Sequence, residues 1–220
     1  MTTRKIYLAE LEELTEKVSL MGQKLEEMIG SVKKALTEMD GELAKAIIAQ
    51  DDDIDELERT VEHGCIRIVA KQQPVATDLR RVTSIMRLIG DIERIADHCG
   101  DISEYIIALT GESIIPMPEN ILEMFDVMKK MVGMTIESFI TENVQETEEV
   151  TKMDDIVDDY FEKIKDELCI AMKHNPEHIR AYADYLLIAK YVERMADHST
   201  NIAEWTAFIV TGDLEQYMNI

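Results

Sequence analysis

Acidic side chains recur at helical spacing in two copies of one short motif. The segment E-R-I-A-D-H at residues 93–98 returns one hundred residues later as E-R-M-A-D-H at residues 193–198. On a helix the carboxylates of Glu93, Asp97 and Asp101 would form a line, about 6 Å apart at each step. Like charges in such a line repel one another. Solvent, basic side chains or a bound cation must therefore compensate them.

Two further acidic pairs precede the repeated motif, Asp51 with Asp55 and Asp154 with Asp158, again four residues apart. An antiparallel hairpin places residues that are equally far from its turn side by side. With turns near residues 75 and 175, and at about 1.5 Å per residue, each pair lies at the height of its motif. Oxygen ligands at one level suit a hard or borderline cation such as iron, manganese, magnesium or calcium. The predicted ligands are Asp51, Asp55, Glu93, Asp97, Asp101, Asp154, Asp158, Glu193, Asp197 and Asn201.

A solvated surface is the alternative interpretation of these carboxylates. The chain has 45 acidic residues, so acids four residues apart also occur by composition alone. Arg94 and Arg194, beside the acids, could form ordinary ion pairs with them. His98 and His198 are turned away from the acidic line by one residue's rotation, which favours packing or surface positions for both rings, with roles in supporting a ligand left open.

The elements that must position these residues are all predicted to be helices. Prolines and glycines are few, 4 and 9, and apolar residues recur at intervals of three and four. Residues 93–104 and 193–204 agree at seven of twelve positions, which indicates an internal repeat. We predict an all-α fold of two tandem, repeat-related three-helix bundles with long antiparallel helices, as domains 1–112 and 113–220. The predicted helices span about 5–39, 42–73, 78–109, 119–141, 144–173 and 175–210.

Charge and missing motifs exclude several classes of function. A net charge of -22 disfavours nucleic acid or an anionic membrane as the main partner. Neither a bilayer-spanning apolar run nor a signal-peptide core is present, which predicts a cytoplasmic protein. A nucleophile elbow, a phosphate-binding glycine loop and a zinc-protease motif are all missing, so no enzyme is predicted. A di-iron oxidase would need Glu-x-x-His pairs, whereas histidine here directly follows aspartate.

Three segments together resemble the PhoU family of phosphate-signalling regulators. They are C-I-R-I-V-A-K-Q-Q-P at 65–74, D-L-R at 78–80 and E-R-I-A-D at 93–97, and the similarity extends over essentially the whole chain. The resemblance implies two three-helix bundles, each with a Glu/Asp-x-x-x-Asp signature that can hold a multinuclear iron or zinc cluster. It further implies a cytoplasmic negative regulator of phosphate uptake and signalling that couples the ATPase subunit of a phosphate ABC transporter to a sensor histidine kinase, and that forms a homodimer. The membrane would be reached only through these partners.

Carried over residue by residue, the family signature falls on the same ten positions that are selected by their distances from the hairpin turns. Iron is the expected metal, with zinc, manganese or magnesium as alternatives. Ala96 and Ala196 depart from the glycine that many relatives have. Asn201 is the neutral counterpart of Asp101, so the second cluster is predicted to be less negative and to bind fewer or different metals. A carboxylate-bridged metalloenzyme and a purely structural acidic bundle stay open as alternative functions.

Overall fold

The computed structural model describes residues 3–111 and 115–213, and every regular element within these ranges is helical. The predicted all-α fold of two repeat-related three-helix bundles is confirmed. The predicted boundary between residues 112 and 113 lies outside the described residues. Seven α-helices occur in the described ranges: α1 Thr3–Glu38, α2 Gly41–Ile48, α3 Asp51–Gln72, α4 Thr77–Thr110, α5 Ile121–Thr141, α6 Thr147–His174 and α7 Ile179–Thr211.

The two bundles share one hydrophobic core. Helix α1 packs on α4, α4 on α7, α7 on α5 and α5 back on α1, so these four long helices form the centre of the molecule. Helix α3 lies on the outside against α1 and α4, and α6 lies on the outside against α5 and α7. The buried apolar side chains of both bundles belong to a single cluster. Each acidic site is therefore formed between one central helix and one outer helix.

Helices α4 and α7 run antiparallel and have the most extensive contact of any helix pair. The guanidinium carbon of Arg87 lies 5.9 Å from the Trp205 ring centroid. Further along, Tyr105 lies 6.1 Å from Tyr191. Residue numbers rise along one helix as they fall along the other, and the repeated motifs meet at the middle of the crossing. The two helical hairpin turns consequently lie at opposite ends of the molecule.

The predicted second helix, 42–73, is wrong as a single element, because the chain breaks it at Ala49 and Gln50 into α2 and α3. Aspartate is a poor residue for a helix interior but a favourable one near an N-terminus, where it opposes the helix dipole. Restarting the helix at residue 51 places D-D-D of residues 51–53 in a first turn. The Asp40 side chain caps α2 by accepting hydrogen bonds from two backbone N–H groups. The run of three aspartates is the feature of the sequence from which this break could have been predicted.

The ends of two other helices differ from prediction by a few residues. Thr77 is the first residue of α4 and the N-cap position belongs to Ala76, which adopts φ 50° and ψ -119°. A short 3₁₀ turn, Pro176–His178, precedes α7, because proline fixes φ but cannot donate to the helix ladder. These differences leave the positions of the acidic residues unchanged.

Candidate metal centre

Helix α4 presents its acids beside the core and not within it. Ile92 and Ala96 are fully buried. Glu93 and Asp97 each follow one of these core residues, and one residue turns the side chain by about 100° around the helix axis. The acids therefore lie on the flank of α4 that faces α3. The same step from Val192 and Ala196 places the acids of α7 on the flank that faces α6.

The first acidic cluster joins α3 and α4 across the bundle. The pKa of Glu93 is raised, first by partial burial and then by the charge of Asp97, with contributions from Asp55 and Glu58 on α3. The pKa of Glu58 is raised as well, by burial and by neighbouring acids that include Asp55. These four carboxylates are the first cluster. The predicted proximity of Asp55 and Glu93 across the two helices agrees with these interactions.

Two arginines partly neutralise the first cluster. Arg94 Nη1 donates to Asp97 Oδ2 at 2.8 Å, and Arg59 Nη2 donates to Asp55 Oδ2 at 2.8 Å. Both arginines are more than half exposed, so these pairs are screened and contribute little to stability. Two cations for four carboxylates leave the cluster negative. The side chain of Asp51, a predicted ligand, lies outside the described part of the structure.

The second acidic cluster joins α6 and α7, and more of its carboxyl groups have a raised pKa than in the first cluster. It consists of Asp154, Asp158, Glu193 and Asp197. Burial raises the pKa of Asp154 to about 7, followed in effect by the charge of Asp197 and then of Asp158. The pKa values of Asp158 and Asp197 are also raised, first by burial and next by the charge of Glu193. Lys190 Nζ, 2.5 Å from Glu193 Oε1, provides a compensating cation.

One buried carboxylate oxygen of the second cluster has no hydrogen-bond donor among the described residues and is suited to bind a cation. Asp154 Oδ1 is buried and accepts no hydrogen bond from any residue that the structure describes. A buried carboxylate oxygen without a donor is costly, and a cation would satisfy it. Carboxylate oxygens are also the ligands that iron, manganese and magnesium accept. Among the side chains that the structure describes, which exclude that of Asp51, however, no three from His, Cys, Asp or Glu already stand in an arrangement that could hold a metal ion.

Asp101 and Asn201, the last predicted ligands of each line, have their contacts elsewhere. Asp101 Oδ2 lies 3.2 Å from His98 Nδ1. Asn201 Nδ2 donates to Asp91 Oδ1 at 3.2 Å, on the opposite central helix. Both side chains therefore contact partners on α4, whereas Glu93 faces α3, and Glu193 and Asp197 face α6. Their proposed role as ligands is the least supported of the set.

The two motif histidines lie at the crossing of α4 and α7. Their ring centroids are 5.7 Å apart, and His98 is only 4% exposed. His198 Nδ1 lies 2.9 Å from Asp91 Oδ1, while the His98 ring packs at 5.1 Å against Tyr191. Burial lowers the pKa of His98. The prediction that these rings serve in packing agrees with the position of His98, and the contacts between the two bundles were not foreseen.

Glu58 is the member of the first cluster that sequence reasoning missed. It follows Asp55 by three residues, so the helical spacing of the acids continues from Asp51 through Asp55 to Glu58. The repeat concealed it, because the corresponding position of α6 is Phe161. The spacing of the acids along α3 indicated Glu58, but the comparison of the two repeats did not.

The described residues contain no helix that is both long and apolar enough to cross a membrane. The family model described as "PhoU domain" matches the chain twice, over residues 18–106 and 121–206. The chain belongs to the PhoU family. The two matched segments contain both acidic clusters, so the clusters occupy corresponding places in two PhoU repeats.

Curated relatives match this PhoU-family chain over nearly its full length. The "phosphate-specific transport system accessory protein PhoU homolog" of Clostridium acetobutylicum is 35% identical over 96% of both chains. The relative of the same description from Aquifex aeolicus is 34% identical, again over 96% of both chains. The crystal structure of PhoU from Pseudomonas aeruginosa superposes with a TM-score of 0.91 and 29% identity, covering 94% of this chain and 100% of that one. The phosphate transport system regulatory protein PhoU from Streptococcus pneumoniae gives 0.87 and 28%, covering 94% and 98%.

Proposed function

We propose that this protein is a non-enzymatic regulator of a phosphate transport system. The observation that carries the proposal is the match to PhoU relatives over 96% of both chains, which leaves little of either protein unaccounted for. Those relatives are described as accessory proteins of phosphate-specific transport. A regulator acts through surfaces and bound ligands, and the two acidic clusters are candidates for such ligand sites.

The acidic clusters would bind metal ions, with iron as the expected metal and zinc, manganese or magnesium as alternatives. The supporting observations are four mutually repelling carboxylates per cluster and the unpartnered oxygen of Asp154. An ion would have to draw the carboxylates of two helices together, since they do not form a ready-made site. The ligands we propose are Asp51, Asp55, Glu93, Asp97, Asp154, Asp158, Glu193 and Asp197, with Asp101 and Asn201 as more distant candidates.

The partners that the family resemblance implies are the ATPase subunit of a phosphate ABC transporter and a sensor histidine kinase. We propose that the protein acts in the cytoplasm as a homodimer and links these two partners. Net charge supports protein partners over nucleic acid, since -22 would repel a phosphate backbone. Metal occupancy would add a further control, because an ion that joins a central and an outer helix restrains both.

Partner capture tests the regulatory role directly. Immobilised protein is incubated with the purified ATPase subunit or with the cytoplasmic part of the kinase, each at high and at low phosphate. We expect retention of at least one partner and a difference between the two phosphate conditions. Absence of binding to both partners under both conditions would contradict the proposed adaptor role.

A carboxylate-bridged oxidase is the rival hypothesis, favoured only by the presence of acids on facing helices. Iron-loaded protein mixed with dioxygen distinguishes the two. Repeated turnover of dioxygen or of peroxide would indicate an enzyme, whereas the regulatory proposal predicts at most one oxidation event per bound iron. A purely structural acidic bundle predicts no retained metal at all.

A further inference from the structure

An open cleft of about 810 Å³ lies between α3, α4 and α7, beside the first acidic cluster. Its lining on α4 extends from Met86 to Arg94, about 12 Å at 1.5 Å per residue, which is room for two turns of a helix. Trp205 and Glu204 form the α7 side. Of the acids carried over from the family signature, only Glu93 is among the residues that line this cleft.

The floor of the cleft is open because of a difference between the two repeats. A Cβ atom added to Gly90 would meet no atom within 4 Å, so no tight packing accounts for this glycine. Glycine inside a helix costs about 0.5–1 kcal/mol relative to alanine. The corresponding residue of α7 is Lys190, whose Nζ lies 5.2 Å from the Phe161 ring centroid. Where the second repeat has a long side chain that covers an aromatic ring, the first repeat has empty space.

The charges around the cleft favour a cation. Its lining contains four acids and two arginines. Arg94 is paired with Asp97 and also lies 3.6 Å from Glu93 Oε2, so its charge is shared between the first acidic cluster and the edge of the cleft. The pKa of Glu204 is raised by burial and then by the charge of Asp91, and the pKa of Glu58 is raised by burial and by neighbouring acids. Asp91 is paired with His198 Nδ1 at 2.9 Å, whereas Glu58 and Glu204 have no ion-pair partner among the described residues. The lining therefore keeps a net negative charge, which would stabilise a bound cation and repel an anion.

The cleft also has an apolar wall suited to an organic cation. Trp205 contributes an indole ring and Met86 a thioether. The guanidinium of Arg87 lies 5.9 Å from the ring centroid of Trp205, so the ring suits a guanidinium group, and a partner's cation would compete with Arg87 for it. Arginine and lysine combine a charged head with an apolar stem, and such a side chain would contact both parts of the lining.

We propose that this cleft is a docking site for a positively charged helical segment of a partner protein, with an arginine or lysine inserted between Trp205 and the acids. The proposal rests on the proposed regulatory function for the existence of a protein partner. Its physical support is independent of that function, namely the open floor at Gly90, the aromatic wall and the excess of carboxylates. An amphipathic helix laid in a groove is a common mode of peptide recognition.

The experiment uses Trp205, the single tryptophan of the chain, as its reporter. The full-length protein is titrated with a synthetic leucine–arginine peptide of helical periodicity, and Trp205 fluorescence is recorded. Gly90→Leu places a bulky apolar side chain on the floor of the cleft without a change of charge, and leucine is the better helix former. Gly100→Leu is the matched control, because a Cβ atom added there also meets no atom within 4 Å and Gly100 does not line the cleft. We expect a fluorescence change on binding, at least tenfold weaker binding for Gly90→Leu, and a twofold change or less for Gly100→Leu.

Equal affinity of wild type and Gly90→Leu, or binding without a response of Trp205, would overturn the proposal. A leucine–glutamate peptide serves as the charge control and should not bind. Inorganic phosphate is titrated separately, and a Trp205 response to phosphate that Gly90→Leu removes would also overturn it by showing an anion site. Failure of transporter or kinase capture together with intact peptide binding would contradict the proposed function but not the cleft.

Discussion

Replacing Asp154 by asparagine should stabilise the metal-free protein at neutral pH. The ordinary pKa of this carboxyl is 3.8, and in the folded protein it is about 7. Between these values the unfolded chain has released the proton while the folded chain still holds it. The free energy of unfolding therefore falls as pH rises from about 4 to about 7, and the loss is complete above that window. Asparagine does not ionise and escapes this penalty.

The magnitude follows from the difference between the two pKa values. From 3.8 to about 7 the penalty corresponds to about 4 kcal/mol at most. Asp154 is partly exposed, and solvent screening reduces this figure to about 2 kcal/mol. At pH 8 Asp154→Asn should thus unfold with a free energy about 2 kcal/mol higher than wild type. At pH 4.5, where the unfolded chain has already released most of this proton, the gain should be only about 1 kcal/mol.

Urea unfolding in the presence of a chelator measures both values. Asp166→Asn, an exposed substitution on the same helix, is the control and should stay within about 0.5 kcal/mol of wild type at both pH values. A gain that is equal at pH 4.5 and pH 8 would refute the reasoning, because it would not come from ionisation. Destabilisation at pH 8 would show that the Asp154 carboxylate has a stabilising partner in the metal-free protein.

Three substitutions at glycine or alanine positions should change the free energy of unfolding through packing or backbone strain. Gly22→Ala should lower the free energy of unfolding by about 1–3 kcal/mol, since its Cβ would lie 2.7 Å from Ile136 Cδ1 across the α1–α5 contact. Gly100→Ala, with no atom within 4 Å, should instead raise it by about 0.5–1 kcal/mol, and equal signs for the two variants would contradict the packing argument. Ala76→Gly should be stabilising by about 1 kcal/mol because φ 50° and ψ -119° strain an L-residue, and thermal unfolding that shows a lower melting temperature would contradict this.

The helical fold and the neighbours within each hairpin could be predicted from the sequence because both depend on local geometry. A periodicity of three to four residues fixes which side of a helix is buried. Distance from a turn fixes which residues of an antiparallel pair are level. This geometry predicts that Asp55 lies near Glu93 and Asp158 near Glu193, and in the folded protein each pair interacts.

The relation between the two bundles could not be predicted, because no short-range pattern encodes it. The antiparallel contact of α4 and α7 brings Asn201 to Asp91, whereas Asp101 contacts His98 on its own helix. The same contact creates the cleft at Gly90, which depends on residues from three helices and from both repeats.

The crossing of α4 and α7 also links the two acidic clusters. Asp97 and Asp197 immediately precede His98 and His198, whose rings lie 5.7 Å apart at the centre of the crossing. Each aspartate is therefore the neighbour in sequence of a residue that forms a contact between the bundles. If the clusters bind metal as proposed, binding in one bundle would have a short physical route to the other.

Metal content is the most direct measurement of the central claim that the acidic clusters are metal sites. Wild type and the Asp97→Ala/Asp197→Ala double variant are purified without added metal, dialysed and analysed for iron, zinc and manganese by elemental analysis, with circular dichroism to establish that both are folded. Wild type should retain more than one metal ion per chain, as a multinuclear cluster requires, and the folded double variant should lose most of it. An unchanged metal content in the folded double variant, or no metal in wild type even after anaerobic loading with iron, would contradict the account.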